Sequence, residues 1–323
     1  MGASEFEQMM STTTDCRIWV DDPAGFTTRK VGSFHHNYHQ HPLFQLPELE
    51  ALAKELMPLK QCRFVRQGVT QASAFAHASE HPDGRGIEDV FRRIEEPGSW
   101  IALYDVEVVP RYQALLDGIL DPMREIVERE QPGIFLVTGF IFISAPPSVT
   151  PFHIDRENNF WLQLRGRKVM NVWEATDRIV VPAPEVEDFI VSGSLRNVRL
   201  KEEFRSRSHQ FDTQAGDGIY FPSTSPHMTR SDPDWTRPGD GVAISIGVTF
   251  YTSATRKAAR VHQLNRVLRK CGLSPAYPGE SAVSDGIKAP IGRAIGAGLA
   301  SLSRIMAPIG RLRRFANPPP GSF

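Results

Sequence analysis

Between residues 133 and about 252 the chain alternates short β-branched and aromatic runs with turn residues. The runs are IFLVTGFIFIS, HIDRENNFWLQL, KVMNVWEA, IVVPA, GIYFP and VAISIGVTFY. Short apolar segments at close, regular spacing are typical of antiparallel sandwiches and barrels. We therefore predict a mainly β fold with flanking helices, whose core spans residues 133–252.

Helical periodicity lies on both sides of this core. Apolar residues recur at helical spacing in LPELEALAKELMP, in residues 109–130 and in residues 253–273, which predicts three helices. The segment SWIALYDVEV, 99–108, has the pattern of a strand. We predict that residues 11–132 are a lead-in that packs on the core and that 253–273 is a C-terminal helix. The polar segment 183–212 is expected to be an insert beside the mouth of the core.

The last segment, 286–323, has an unusual charge pattern. It carries six basic residues and no acid: Lys288, Arg293, Arg304, Arg311, Arg313 and Arg314. Ile287, Ile291, Ile295 and Leu299 recur every four residues, so a helix here would oppose an apolar stripe to a basic side. Two interpretations stay open: weak contact with a membrane surface, or a partly helical tail lying on the domain, since Pro290 and several glycines disfavour a helix.

Composition narrows the class of protein. Of the 323 residues, 41% are hydrophobic, and 37 basic residues balance 37 acidic ones, so we expect no nucleic-acid partner. The three cysteines, Cys16, Cys62 and Cys271, have no paired spacing that would indicate a disulfide framework or a zinc site. No signal peptide or membrane-length apolar run is recognised, and we expect a cytoplasmic protein.

The candidate chemistry lies in TPFHIDRENNFWLQLRGRK, 150–168. His153 and Asp155 alternate with apolar residues, so both point to one side of a strand. A third ligand is offered by His227, which follows the short apolar strand of GDGIYFPSTSPH. Two histidines and one carboxylate leave three octahedral positions open, the ligand set of non-haem Fe(II) oxygenases.

At these residues the chain resembles the jumonji-C/cupin-like family of Fe(II)- and 2-oxoglutarate-dependent oxygenases. The closest likeness is to the branch containing the asparaginyl hydroxylase that acts on hypoxia-inducible factor. The matching features are Thr150-Pro151, His153-x-Asp155, Asn159-Phe160, Gln163, Gly166, Lys168 thirteen residues after the aspartate, and the Gly-Asp-x-x-Tyr-x-Pro run before His227. An HxD triplet alone is weak, but this combination is specific.

The resemblance implies a double-stranded β-helix (jelly-roll) core that binds Fe(II), 2-oxoglutarate and O2. His153, Asp155 and His227 would be the metal ligands. The Lys168 ammonium, a compact point charge, would bind the distal carboxylate of 2-oxoglutarate with help from the Thr150 hydroxyl, and Asn159 would lie near the metal-binding end. The implied reaction hydroxylates an unactivated C–H of a protein side chain or small molecule and releases succinate and CO2. C-terminal helices in this family often form a homodimer, so one is possible here.

Several alternatives remain. Where the asparaginyl hydroxylase has a further cosubstrate-binding asparagine, this chain has Gly247 or Val248, neither of which donates a side-chain hydrogen bond. Demethylation is chemically related, although Asp155 stands where many lysine demethylases have Glu. A metal cupin that does not use 2-oxoglutarate, such as an isomerase, and a non-catalytic jelly-roll binding protein are the competing classes. The run His35, His36, His39 and His41 has no accompanying carboxylate and is interpreted as structural or solvated.

Overall fold

The computed structural model describes residues 16–65, 68–232, 234 and 241–306. The strands in this part of the chain are β1 (Ile18–Trp19), β2 (Gly32–His36), β3 (Cys62–Phe64), β4 (Trp100–Leu103), β5 (Phe135–Ser144), β6 (Ser148–His153), β7 (Asn158–Arg165), β8 (Lys168–Val172), β9 (His209–Thr213), β10 (Asp217–Phe221), β11 (His227–Ser231) and β12 (Ala243–Tyr251).

The α-helices in the same part are α1 (Leu46–Leu56), α2 (Ile87–Arg92), α3 (Pro110–Glu130), α4 (Ala183–Ser192), α5 (Ser253–Lys270) and α6 (Ala282–Met306). Short 3-10 turns cover Tyr38–Gln40, Pro42–Phe44, Met57–Leu59, Val106–Val108 and Glu202–Arg207. None of the helices in the described ranges is long and apolar enough to cross a membrane.

Strands β5 to β12 form two facing sheets. The order β10-β7-β12-β5 occurs in the larger sheet and β6-β11-β8-β9 in the smaller one, and all neighbouring pairs are antiparallel. Because the chain passes repeatedly between the two sheets, the strands wind into a jelly roll. The predicted fold class, a mainly β double-stranded β-helix with flanking helices, is confirmed.

The lead-in widens the larger sheet at both edges. Strands β1 and β2 add beside β10, and β4 and β3 add beside β5. Helices α1 and α3 contribute Leu49, Leu116 and Ile119 to one apolar cluster with Ile246 and Val248 of β12. Each such side chain contributes about 1.5–3 kcal/mol when fully buried, so this layer holds the helices on the outer face of the sheet. The opposite face of β12, with its polar residues, is left for the barrel interior.

Two predicted strands are wrong in whole or in part. In 99–108 the strand ends at Leu103 because Asp105 adopts a left-handed backbone (φ 52°), and Val106–Val108 is a 3-10 turn. The IVVPA segment is not a strand: Val180 and Val181 pack in an apolar cluster, and the following prolines begin α4. Short apolar runs carry no periodicity that separates these outcomes.

The last described element, α6, packs against α5 through its smallest residues. Ala289, Gly292 and Gly296 are buried, and a Cβ atom on Gly292 would lie 1.8 Å from the backbone oxygen of Arg260. The absence of side chains at the two glycines therefore sets how closely the two helices approach. Residues 307–323 of the predicted basic tail lie outside the described residues.

We predict that Gly292→Ala loosens α6 from α5, because the added methyl group collides with backbone and not with a flexible side chain. Overpacking of this kind costs about 1–3 kcal/mol. Gly298→Ala is the matched control, since nothing lies within 4 Å of its Cβ position. Hydrogen exchange of the α6 amides should accelerate in the first variant and not in the second. Equal protection in both variants would contradict this packing.

Candidate metal centre and cosubstrate pocket

The pairing of β6 with β11 brings the first and third predicted ligands together. His153 ends β6, His227 begins β11, and the two residues are direct cross-strand partners. The register shifts by one between His227 and Thr229, so Thr150 is the partner of Thr229. Residues opposite each other share a face of the sheet, and bulges of this kind re-aim side chains beside active sites. Thr150 and His153 therefore both face the interior, although their spacing is odd.

Asp155 completes the group from the turn after β6. Its backbone oxygen accepts a hydrogen bond from Thr224 N at 2.8 Å, which ties this turn to the segment that leads into β11. Asp155 Oδ2 lies 3.4 Å from His227 Nε2 and 3.9 Å from His153 Nε2. Within the described ranges this is the one group of three or more potential ligands whose donor atoms lie close enough for a metal ion.

Both histidine rings are oriented through their second nitrogen. His153 Nδ1 lies 2.7 Å from the Pro151 oxygen, and His227 Nδ1 lies 3.0 Å from the Ser225 oxygen. A backbone carbonyl only accepts, so each Nδ1 carries the proton and donates it. Nε2 is then the unprotonated nitrogen facing Asp155, the arrangement that metal-binding histidines use.

Electrostatics keep the group in its metal-binding protonation state. Burial, followed by the neighbouring His227, lowers the pKa of His153 to about 4. Burial opposes ionisation of Asp155, but its electrostatic interactions with His153 and with His227 outweigh this effect and lower the pKa of Asp155 to about 2. At neutral pH the site therefore presents a neutral imidazole beside a carboxylate, which suits a divalent cation.

Aromatic rings cover the histidines on two sides. Phe75 stacks on His153 with ring centroids 4.3 Å apart and an 8° interplanar angle, and Phe221 contacts His227 at 4.7 Å. Phe75 belongs to the loop between β3 and α2. The Gln71 oxygen of this loop accepts a hydrogen bond from Phe152 N at 2.9 Å. The loop therefore forms one wall over the centre.

The residues after Asp155 anchor its turn on other elements. Arg156 Nη2 donates to the Phe189 and Ile190 oxygens at the end of α4, at 2.9 and 3.0 Å. Tyr251 donates its hydroxyl to Glu157 at 2.5 Å. Burial, together with the charge of Asp155, raises the pKa of Glu157 to about 7.

Lys168 lies deeper in the barrel and is buried without an acid. Its Nζ donates to Ser245 Oγ at 3.2 Å, and burial lowers the pKa of the ammonium to about 8. Among the described residues no carboxylate forms an ion pair with it. A buried ammonium is stable only when an anion or a set of acceptors compensates its lost hydration, so this side chain is matched to an anionic ligand.

The barrel interior between the candidate metal ligands and Lys168 contains both apolar and polar residues. Along the interior face of β8, Val172 pairs with His227 and Met170 with Thr229, so Lys168 lies two interior positions beyond the metal ligands. On β12, Gly247 lies midway between Ser245, which contacts Lys168, and Thr249, the partner of Asn159.

Asn159 and Gly247 together leave an unused acceptor in this space. The Asn159 side-chain oxygen is buried and accepts no hydrogen bond from the residues that the structure describes. A Cβ atom on Gly247 would approach it to 3.1 Å. Of the two residues expected to replace the family's extra asparagine, Gly247 faces the interior and Val248 packs in the outer apolar cluster. The site therefore has an orphaned polar atom and a buried cation where 2-oxoglutarate would lie.

The other histidines are placed differently. His36 is buried with Nε2 3.2 Å from the Asp217 oxygen, His35 lies within 3.4 Å of Asp217 Oδ1, and His41 Nδ1 accepts from Leu43 N at 3.2 Å. These interactions are structural. Trp161 and Tyr220, left without a role by the sequence, are buried in apolar clusters.

Sequence reasoning missed Phe75 and Ser245. Side chains alternate between the two faces of a strand, so Ser245 lies on the same interior face of β12 as Gly247. This alternation could have identified Ser245 from the sequence. Phe75 lies in a loop some eighty residues before His153, and no local pattern connects the two.

The JmjC domain is the family whose model matches this chain, over residues 123–255. The match covers β5 to β12 and all three candidate ligands. Fold, domain and ligand group together define the class: a 2-oxoglutarate-dependent dioxygenase with Fe(II) and 2-oxoglutarate as cofactors. The match does not separate branches of the family, so the likeness to the asparaginyl hydroxylase stays a proposal.

Similar solved structures include YcfD, a ribosomal oxygenase from Escherichia coli. It is 16% identical, with 91% of this chain and 69% of that chain covered and a TM-score of 0.44. A YcfD complex with cobalt and 2-oxoglutarate is 15% identical, with coverages of 90% and 68% and the same TM-score. SnoK, a non-heme alpha ketoglutarate dependent carbocyclase from nogalamycin biosynthesis, is 14% identical, with coverages of 73% and 84% and a TM-score of 0.37. These values are too low to transfer a substrate. No curated protein matches the sequence.

We predict that His153→Ala, Asp155→Ala and His227→Ala each weaken Fe(II) binding at least tenfold, since even loss of an outer partner of a ligand costs about 10–100-fold. His209→Ala, which removes an exposed histidine paired with Glu174, is the control. Anaerobic calorimetric titration measures the affinities, and circular dichroism checks the fold. Unchanged affinity in a folded ligand variant would remove that residue from the metal site.

Affinity for 2-oxoglutarate should fall at alkaline pH through Lys168. The lowered pKa means that the free protein loses this ammonium above about pH 8, and binding an anion then requires its reprotonation. We expect about tenfold weaker binding near pH 9 than near pH 7. Lys168→Arg should abolish this dependence, because arginine does not titrate in this range. Calorimetry with Mn(II)-loaded protein measures it, and an unchanged slope in Lys168→Arg would assign the effect elsewhere.

Proposed function

We propose that this protein hydroxylates an unactivated C–H bond of a protein side chain or of a small molecule. The observation that carries the proposal is the presence of two unlike groups in the interior of one barrel: the His153–Asp155–His227 group at one level and the acid-free ammonium of Lys168 at another. A dicarboxylate that binds a metal through one end and a cation through the other suits such an arrangement.

The protein's own groups would perform binding and orientation. His153, Asp155 and His227 would hold Fe(II), and Lys168 with Ser245 would bind the distal carboxylate of 2-oxoglutarate. Thr150 and Thr229 offer hydroxyls between these two levels, and Asn159 offers an amide near the metal. When bound, Fe(II) with 2-oxoglutarate and O2 supplies the oxidising power and releases succinate and CO2.

Aromatic side chains near the candidate metal ligands suit a substrate with an apolar or planar surface. Tyr104, Phe140 and Phe142 form an aromatic cluster, with Tyr104 and Phe140 centroids 4.9 Å apart. His77, from the same loop as Phe75, lies 5.3 Å from Tyr104. Binding sites of this kind combine aromatic walls with few polar groups. The motif likeness to the asparaginyl hydroxylase branch favours a protein side chain; the walls suit a small molecule equally.

The alternatives make different demands on the same residues. A metal cupin that does not use 2-oxoglutarate has no need of a buried lysine without an acid. A non-catalytic jelly roll has no need of three oriented ligands. Demethylation uses the same centre and differs only in the substrate, so it stays a variant of this proposal, with hydroxylation favoured.

We expect anaerobic addition of Fe(II) and 2-oxoglutarate to produce the weak visible charge-transfer band of the metal-bound keto acid. Lys168→Ala should weaken 2-oxoglutarate binding at least tenfold, because a charge-assisted hydrogen bond of about 1.5–3 kcal/mol is lost. Lys270→Ala, at the exposed end of α5, is the matched control. Iron binding without the band would favour the metal cupin, and no metal binding would favour a binding protein.

Exposure to O2 then tests turnover. We expect the wild-type complex to form succinate slowly even without substrate, and faster with peptide or metabolite mixtures that contain the substrate. A product heavier by one oxygen atom, found by mass spectrometry, identifies hydroxylation. Loss of a methyl group would establish demethylation in its place.

A further inference from the structure

Helix α6 turns its large apolar residues to solvent. Val283, Ile287 and Ile291, spaced four residues apart, are 76%, 63% and 47% exposed. The face buried against α5 carries Asp285, Ala289, Gly292 and Gly296 instead. A helix that only covers a protein core normally has the opposite arrangement, with its branched residues buried.

Positive charge flanks this apolar stripe, defined as Val283, Ile287 and Ile291. At 100° per residue, Lys288 and Arg293 fall on opposite sides of it. Burial is the main cause of the lowered pKa of the Arg260 guanidinium on α5. The nearby positive charges of Arg293 and then Arg256 lower that pKa further.

Three arginines near the stripe have no acidic partner among the described residues. Arg256, Arg260 and Arg293 form no ion pair with the described residues, and the buried Nε atoms of Arg256 and Arg260 have no hydrogen-bond partner there. The Arg256 guanidinium lies over the Phe135 ring at 3.8 Å. Asp285, the nearest acid along α6, is buried and accepts from Gly279 N at 2.7 Å. Like charges held together in this way are stabilised when an anionic surface supplies the missing partner.

We propose that this face of α5 and α6 docks on an anionic lipid bilayer. The apolar stripe would enter the interfacial region while Lys288, Arg260 and Arg293 contact lipid phosphates, as interfacial amphipathic helices do. A second copy is a poorer occupant, because a two-fold contact presents the same patch twice and so supplies no acid. The sequence that follows, 307–323, contains arginines and no acid and supplies none either.

The test uses the full chain and two sets of vesicles, pure phosphatidylcholine and phosphatidylcholine with about 30% phosphatidylserine. We expect flotation with the anionic vesicles and at least tenfold weaker binding to the neutral ones. Arg260→Gln/Arg293→Gln should weaken binding tenfold or more, since each basic residue near the surface contributes about fivefold. Ile287→Asn/Ile291→Asn should have a similar effect through lost apolar burial, and added salt should weaken binding.

Matched controls come from the insert between β8 and β9. Ile179→Asn changes an isoleucine that is 56% exposed, and Arg199→Gln changes an exposed arginine that forms no ion pair with described residues; neither should alter flotation. No flotation of the wild type, or equal flotation of wild type and stripe variants, would overturn the proposal. So would a wild-type dimer in sedimentation that the isoleucine variant converts to monomer without any vesicle binding, because a second copy would then cover the stripe.

Discussion

The antiparallel pairing of β6 with β11 is the constraint on which the chemistry of this protein depends. It places His153 opposite His227, and the shifted register next to this pair turns Thr150 into the interior as well. Without the shift, strand alternation would direct the hydroxyl and the imidazole to opposite faces. One bulge therefore connects the candidate metal site to the proposed cosubstrate contact, and the hydrogen bond from Thr224 to Asp155 adds the third candidate ligand to the same frame.

The barrel interior contains two opposite charges, Asp155 and Lys168, that do not form an ion pair with each other. Asp155 is held ionised beside two histidines, whereas Lys168 lies two interior positions away, where the Ser245 hydroxyl is its hydrogen-bond partner among the described residues. If the two charges met, the lysine would compete with a metal ion for the carboxylate. Their separation leaves each without the other as a partner, as the proposed binding of one dicarboxylate between them requires. The pocket is thus less stable empty than filled, which favours binding of a dicarboxylate.

Much of this arrangement could be predicted from the sequence, and the reasons are local. The alternation around His153, the short strand before His227 and the repeated short apolar runs each reflect a backbone period, so the jelly-roll fold follows from them. The strand predicted for the IVVPA segment is wrong, because a short apolar run before a proline can equally well form a strand or precede a helix. Another predicted strand ends early because the backbone at Asp105 is left-handed, and the amino-acid composition does not reveal this. Phe75 reaches His153 only through tertiary folding.

Helix α6 shows where periodicity identifies an element but not its orientation. The recurrence of Ile287, Ile291 and Ile295 predicts an apolar stripe, and ordinary reasoning would turn that stripe toward the protein. Gly292 and Gly296 decide otherwise, because only a residue without a side chain can approach the Arg260 backbone and the Gln263 side chain so closely. Close backbone packing thus takes the face that the isoleucines would have occupied. The stripe is left beside Arg293 and Arg260 on the surface, so its exposure is a consequence of packing elsewhere on the same helix.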